Sequence, residues 1–210
     1  VENQTALLFD SERDDPAKPS WQVPPDPIAR LKAIGGGYIP DFISGDDEKE
    51  LLSKIGQEKW LMDLKRRVQH YGYRYDYTAR SIDAKDKLGD LPAWAKAVIE
   101  KLTTAPDPVF QQTPDQIIVN EYEPEQGIAP HTDRNCFGPV LASLSLGGEC
   151  TMKLKNPADK SQDFTVCLKP RSLIFFRGES REKWQHGLRL NKKAERRVSL
   201  TFRTVRTQAH

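Results

Sequence analysis

Long apolar runs are missing from this chain of 210 residues. Stretches such as Leu173 to Phe176 fall far short of the roughly 20 residues a membrane-crossing helix needs, so no membrane partner is expected. The N-terminal residues lack a basic-then-apolar pattern, which predicts no signal peptide. Cysteine is scarce: the three present, Cys136, Cys150 and Cys167, show neither the close pairing of a metal site nor the even count of a disulfide framework. A reducing compartment follows, the cytoplasm or, in a eukaryote, the nucleus. Cys136 reads as a small buried residue or as a reactive thiol. Internal repeats are absent too, and the length suits one domain with a substantial core, expected to be monomeric.

Overall charge is small, at +2, but it is unevenly spread. From Lys169 to Arg206 there are 12 Lys and Arg against 3 Glu, a balance of +9 that leaves −7 for the rest of the chain. Such asymmetry fits either a polyanionic partner or a solvated basic face.

What the chain does have is a series of short apolar stretches at 141–146, 150–155, 164–169 and 172–176, separated by Gly, Asn or Pro. They predict strands of a sandwich or jelly roll, a mainly β (α+β) fold. Ahead of them, Ser44 reads as the cap of a helix over 46–55 that Gly56 ends, Pro92 starts a second helix running to Leu102, and 116–122 is a strand followed by a turn at 123–127. Residues 1–30 carry Pro16, Pro19, Pro24, Pro25 and Pro27 and read as an extended arm, with the patch from Ala6 to Phe9 as its anchor; 31–210 form the single domain.

Two motifs carry chemistry. His131 and Asp133, two apart, point to one side of an extended backbone. With His186 from the distant Trp184-Gln-His-Gly element they make two histidines and a carboxylate, the set used by non-haem Fe(II) oxygenases with open coordination positions. The pair read alone is an ordinary polar strand end. The second motif is the alternating run 196–203, in which Arg197, Ser199, Thr201 and Arg203 share a face, turned either to solvent or to a ligand.

Taken in order, Asn120-x-Tyr122, His131-x-Asp133, His186 and Arg197-x5-Arg203 resemble the AlkB family of Fe(II)- and 2-oxoglutarate-dependent dioxygenases, over roughly 65–206. The stretches 67–72, 119–124 and 143–147 are similar to the oxygenase domain of AlkB-type tRNA wobble-uridine hydroxylases. The resemblance implies a double-stranded β-helix (jelly-roll) core with N-terminal helices, and His131, Asp133 and His186 as catalytic iron ligands. It implies that Arg197 holds the distal carboxylate of 2-oxoglutarate, that Arg203 lies near its chelating end, and that Asn120, Tyr122 and Ser199 complete the cosubstrate site, with O2 as the other reactant. The fork of a guanidinium suits such a dianion.

Between 60 and 80 the tyrosines 71, 73, 75 and 77 fall on every second position beside Arg66 and Arg67. They make an aromatic face that either packs on the core or forms a nucleotide-recognition lid, and the resemblance supports the lid. On that reading Arg66, Arg67, Tyr71 and Tyr73, with Arg134, contact substrate. The expected partner is methylated DNA or RNA, single-stranded or with its base flipped, and the expected reaction is oxidative demethylation releasing formaldehyde, succinate and carbon dioxide. Hydroxylation of a tRNA base, protein side-chain demethylation and a noncatalytic nucleic-acid-binding barrel are the alternatives. One departure stands out: Arg134 follows Asp133 where many alkylation-repair members have acidic residues, and a guanidinium only donates.

Overall fold

The computed structural model describes residues 26–62 and 64–206. The proline-rich stretch at 1–25, with its apolar patch, and His210 lie outside the described residues. In chain order the elements are α1 (Pro27–Ala33), β1 (Gly37–Ile39), α2 (Gly45–Gln57), β2 (Val68–Tyr71), α3 (Lys96–Thr104), β3 (Gln116–Tyr122), β4 (Gly127–His131), β5 (Phe137–Gly147), β6 (Cys150–Lys155), β7 (Phe164–Leu168), β8 (Leu173–Phe176), α4 (Glu179–Glu182), β9 (Gln185–Arg189) and β10 (Arg197–Val205).

The strands form two antiparallel sheets, ordered β1-β8-β5-β10-β3-β2 and β4-β9-β6-β7. This is the expected jelly-roll arrangement of strand-rich layers. Local chemistry explains the helices. Asp26 accepts from the Ile28 N–H and Pro27 opens α1, so helix begins inside the stretch expected to be extended. Ser44 and Asp47 form a reciprocal capping box at α2, which then runs through Gly56 to Gln57 because its Leu51 and Ile55 face is buried. No helix among the described residues is long and apolar enough to cross a membrane.

Two cores lie on opposite faces of the larger sheet. Ile55, Val98 and Leu102 of the helices pack with Val119, Leu144, Val198 and Leu200 on one face. Tyr122, Leu141, Met152, Leu154, Phe176 and Leu188 fill the space between the sheets. Strand β3 is therefore buried along its whole length, on both faces.

Its outward side carries a buried carboxylate, Glu121, gripped by Arg67 and Arg196 from the flanking segments. Burial alone would raise the Glu121 carboxyl, but the two guanidinium hydrogen bonds outweigh it and hold the group below its ordinary 4.5. A lowered folded value means the stabilisation is complete above about pH 4.5 and is lost as pH falls through the folded value. Both arginines are 40–45% exposed, which moderates the strength of the pair. Glu121→Gln is expected to cost about 2 kcal/mol at pH 7, with a smaller difference from wild type at pH 3, in urea denaturation. Equal differences at both pH values would show that packing, not charge, is lost.

Candidate active site

The site is assembled from the sheets' facing strands. His131, at the end of β4, stands opposite His186 on β9 in the antiparallel register, and the chain is irregular just before it, between Ile128 and His131. The close approach of the strands explains the glycine after His186: a Cβ on Gly187 would sit 2.6 Å from the Pro130 nitrogen. Asp133 lies beyond the strand, on a loop fastened from three directions. Arg181 of α4 donates to the carbonyls of Asp133 and Arg134 at 2.9 and 3.0 Å, and the Thr132 hydroxyl donates to the Trp184 carbonyl at 3.1 Å. Arg203 Nε donates to Asp133 Oδ2 at 2.5 Å.

That last contact fixes what Asp133 can offer. With Oδ2 occupied, Oδ1 faces the histidines, 3.5 Å from His131 Nε2 and 3.8 Å from His186 Nε2. The three ligand atoms all lie within 4.8 Å of one another, close enough to hold one metal ion. His131 Nδ1 is 2.9 Å from the Ala129 carbonyl, which places the ring proton there and leaves the Nε2 lone pair for a metal. His186 is stacked on Phe176 at 5.0 Å between centroids. Its burial, opposed by Asp133 and reinforced by the guanidinium groups of Arg203 and Arg181, pushes it down to about 3, so it is neutral near pH 7. Burial by itself would raise Asp133, but the Arg203 guanidinium holds it well below the carboxylate range, as an anion. An ionised Asp133 and a neutral His186 are in the protonation states that metal ligation requires.

Beside the triad is a cavity of about 420 Å³, walled by both sheets and by the segment following β2. Arg197 is 1% exposed at its inner wall, donates to the Ser145 hydroxyl at 2.9 Å, and leaves Nε and Nη1 without a partner. Arg203 Nη1 is likewise buried and unpartnered. A buried guanidinium facing a hydroxyl and the Tyr122 ring, 5.6 Å away, lacks the anion that would offset its desolvation. A carboxylate-bearing ligand would supply it. Asn120, Tyr122, Ser199 and Thr201 line the same wall.

The expected contact residues divide. Arg66 and Arg134 line the cavity, Arg66 donating through Nε to Asn120 Oδ1 at 2.8 Å. Arg67 instead turns to the opposite face of the sheet, paired with Glu121 and lying 4.6 Å over the Trp60 ring. Tyr71 is also on that side, its hydroxyl donating to Gln69 and its ring set edge-on to Trp94, and Tyr73 is not part of the cavity wall. Tyr75, Tyr77 and Arg80 take their place. The alternation that made one aromatic face is broken at Gly72, whose φ of +76° turns the chain and where a Cβ would strike the Asp115 carbonyl. That glycine inside the tyrosine run was the available signal. Arg181 gave none, since it acts on backbone carbonyls.

The expected basic face is partly internal, because Arg181, Arg197 and Arg203 are buried within the site. Cys136 is half-buried, and burial raises its thiol despite Arg203 nearby, which favours the inert reading over a reactive thiolate.

Residues 39–203 match the family described as the 2OG-Fe(II) oxygenase superfamily. A protein of Arabidopsis thaliana named "Alkylated DNA repair protein ALKBH8 homolog" is 33% identical, over 85% of this chain and 60% of that protein. The mouse "tRNA (carboxymethyluridine(34)-5-O)-methyltransferase ALKBH8" is 35% identical over 75% of this chain and only 25% of its own length. Among solved structures, one titled "The structure of OsALKBH1" shares the fold with a TM-score of 0.63 at 20% identity, covering 81% of this chain and 96% of that one.

Proposed function

Because this chain belongs to the 2OG-Fe(II) oxygenase superfamily, as an AlkB-like dioxygenase, we propose that it oxidises a C–H bond on a nucleic-acid base that is neutral or anionic rather than cationic. The family works with Fe(II), 2-oxoglutarate and O2. When bound, iron would supply activation of O2, one oxygen atom going into the substrate's C–H bond and the other into the succinate formed, with carbon dioxide, from 2-oxoglutarate.

The protein's own contribution follows from its residues. His131, Asp133 and His186 would hold the iron; the first presents Nε2 because its Nδ1 proton is committed to a carbonyl. Arg203 keeps Asp133 ionised and limits it to one oxygen toward the metal. Arg197, with Ser145 and Tyr122, would bind the far carboxylate of the cosubstrate, and Asn120, Ser199 and Arg203 Nη1 would orient the remainder. The apolar part of the wall, Ile118, Leu141, Met152 and Leu188, keeps water from the reacting carbon.

The observation that carries the substrate class is the sign of the cavity. The exposed Arg80 and Arg134 line its outer part with Tyr75 and Tyr77, and among the described residues around it Asp133, already neutralised by Arg203, is the only acid. A base made cationic by methylation on a ring nitrogen would meet repulsion from these arginines, and no carboxylate free of a cation among the described lining residues. A uracil-type ring offers carbonyl acceptors to these donors, and a carboxymethyl substituent, as named in the mouse relative, offers an anion. Aromatic faces and phosphate-seeking arginines suit a single-stranded or looped RNA, with tRNA foremost.

A second reading, oxidative demethylation of alkylated bases, draws on the name of the Arabidopsis relative. The two differ in product. Oxidation of a carbon attached to nitrogen gives a hydroxymethyl group that collapses to formaldehyde, whereas oxidation of a carbon-linked substituent leaves a stable alcohol. Iron-loaded protein with 2-oxoglutarate, given tRNA, methylated single-stranded DNA and methylated duplex DNA, is expected to release succinate above background with tRNA and without matching formaldehyde. Formaldehyde rising in step with succinate on an N-methylated oligonucleotide would establish demethylation instead.

A further inference from the structure

Arg66 was expected to grip substrate, yet its closest partner is on the cosubstrate side of the cavity. Its Nε donates to Asn120 Oδ1 at 2.8 Å, and its guanidinium lies 5.7 Å over the Tyr122 ring. Arg197 lies 5.6 Å over the same ring, so two cations converge on Tyr122, and among the described residues their hydrogen-bond acceptors are the Ser145 hydroxyl and the Asn120 amide oxygen.

The chemistry of the contact is one-sided. A guanidinium has no acceptor, so it can engage only the oxygen of an asparagine amide. Asn120 alone could present either end to the cavity. With Arg66 in place, Oδ1 is taken and the NH2 group is the end left for a ligand. A carboxylate or keto oxygen needs a donor, and an amide turned the other way would repel it.

The sheet explains how Arg66 arrives there. In β2, Val68 pairs with Asn120, and the alternation that sends Arg67 and Gln69 to the outer face sends Arg66 inward beside the same residue. Glu121 anchors Arg67 with a hydrogen bond of 3.0 Å to Nη2, in addition to its contact with Nε, and so fixes the neighbouring backbone from the far side.

We propose that Arg66 is a positioning residue for the cosubstrate: it fixes the Asn120 amide with its NH2 group toward 2-oxoglutarate. The proposal rests on the assignment of Asn120 to the cosubstrate site, and a double-mutant cycle separates the two. Binding of 2-oxoglutarate is measured by calorimetry with Mn(II) in place of iron, under argon, for the wild type, Arg66→Met, Asn120→Ala and the double variant, with Mn(II) affinity measured alongside and Arg66→Lys as the conservative rescue.

Arg66→Met is expected to weaken 2-oxoglutarate on the order of ten-fold with Mn(II) affinity unchanged, and Arg66→Lys to recover part of the loss. The double variant is expected to bind no more weakly than Asn120→Ala, because the two residues act as one unit. Losses that multiply would mean that Arg66 meets the cosubstrate directly and would overturn the positioning role. Undiminished binding in Arg66→Met, with a loss in Asn120→Ala, would overturn it while leaving the Asn120 assignment intact. Undiminished binding in Asn120→Ala would remove both.

Discussion

Asp133→Ala is expected to lose iron-dependent turnover by about a thousand-fold or more. The triad offers three ligand atoms, and Asp133 supplies the anionic one. Several kcal/mol of transition-state stabilisation come from a metal held in place, and each 1.4 kcal/mol is about a factor of ten. The side chain is also the buried partner of Arg203 Nε, so the substitution strands a cation as well as removing a ligand. Asp133→Asn keeps the shape and an oxygen, and is expected to fall nearly as far because the anion is gone. The check is succinate production by purified, iron-replete protein, with Co(II) binding followed by absorbance. Wild-type turnover in either variant would move the metal site elsewhere.

The second large effect belongs to Arg197. Arg197→Met is expected to raise the 2-oxoglutarate requirement about a hundred-fold, the loss appropriate to a buried, forked carboxylate contact. The opposite is expected for stability without ligand. Arg197 is a buried cation whose hydrogen-bonding partner is the Ser145 hydroxyl, with Nε and Nη1 unmet, and methionine would relieve that cost. The variant should melt higher than wild type when 2-oxoglutarate is absent, and it should lose the upward shift that the cosubstrate gives the wild type. An unchanged requirement for 2-oxoglutarate would send the distal carboxylate to another residue. A lower melting temperature would show that Arg197 contributes to the fold even when no anion is bound.

Much of this architecture was legible because period and punctuation agree. The expected limits of β3 and β6 coincide with the observed strands, and β10 differs by a residue or two at its ends. The face of β10 carrying Arg197, Ser199 and Arg203 does line the cavity, although alternation allowed a solvent-facing reading as well. What separated those readings was the company of His131, Asp133 and His186 in order along the chain. The contacts that escaped are those set by a partner far away. Nothing around Arg67 says that Glu121, 54 residues on, will take it out of the cavity, and nothing around Arg181 says that it will hold two carbonyls 47 and 48 residues back. The tyrosine run misled because strict alternation counts only while the strand lasts, and β2 ends at Tyr71.

Strand β3 poses a problem that its neighbours solve. A strand with one wet face announces its orientation, since a slip by one residue would bury polar groups and expose apolar ones. Strand β3 has no wet face, and Ile117, Ile118 and Val119 would be comfortable either way round. The asymmetry comes instead from Asn120 and Glu121. Each adjoining segment brings a consecutive arginine pair, 66–67 and 196–197, and in each the residue on the Glu121 side is neutralised while the other enters the cavity. The acid thus marks one face of a strand that is buried on both, and the arginine it does not take from each pair, Arg66 or Arg197, is the one at the cavity.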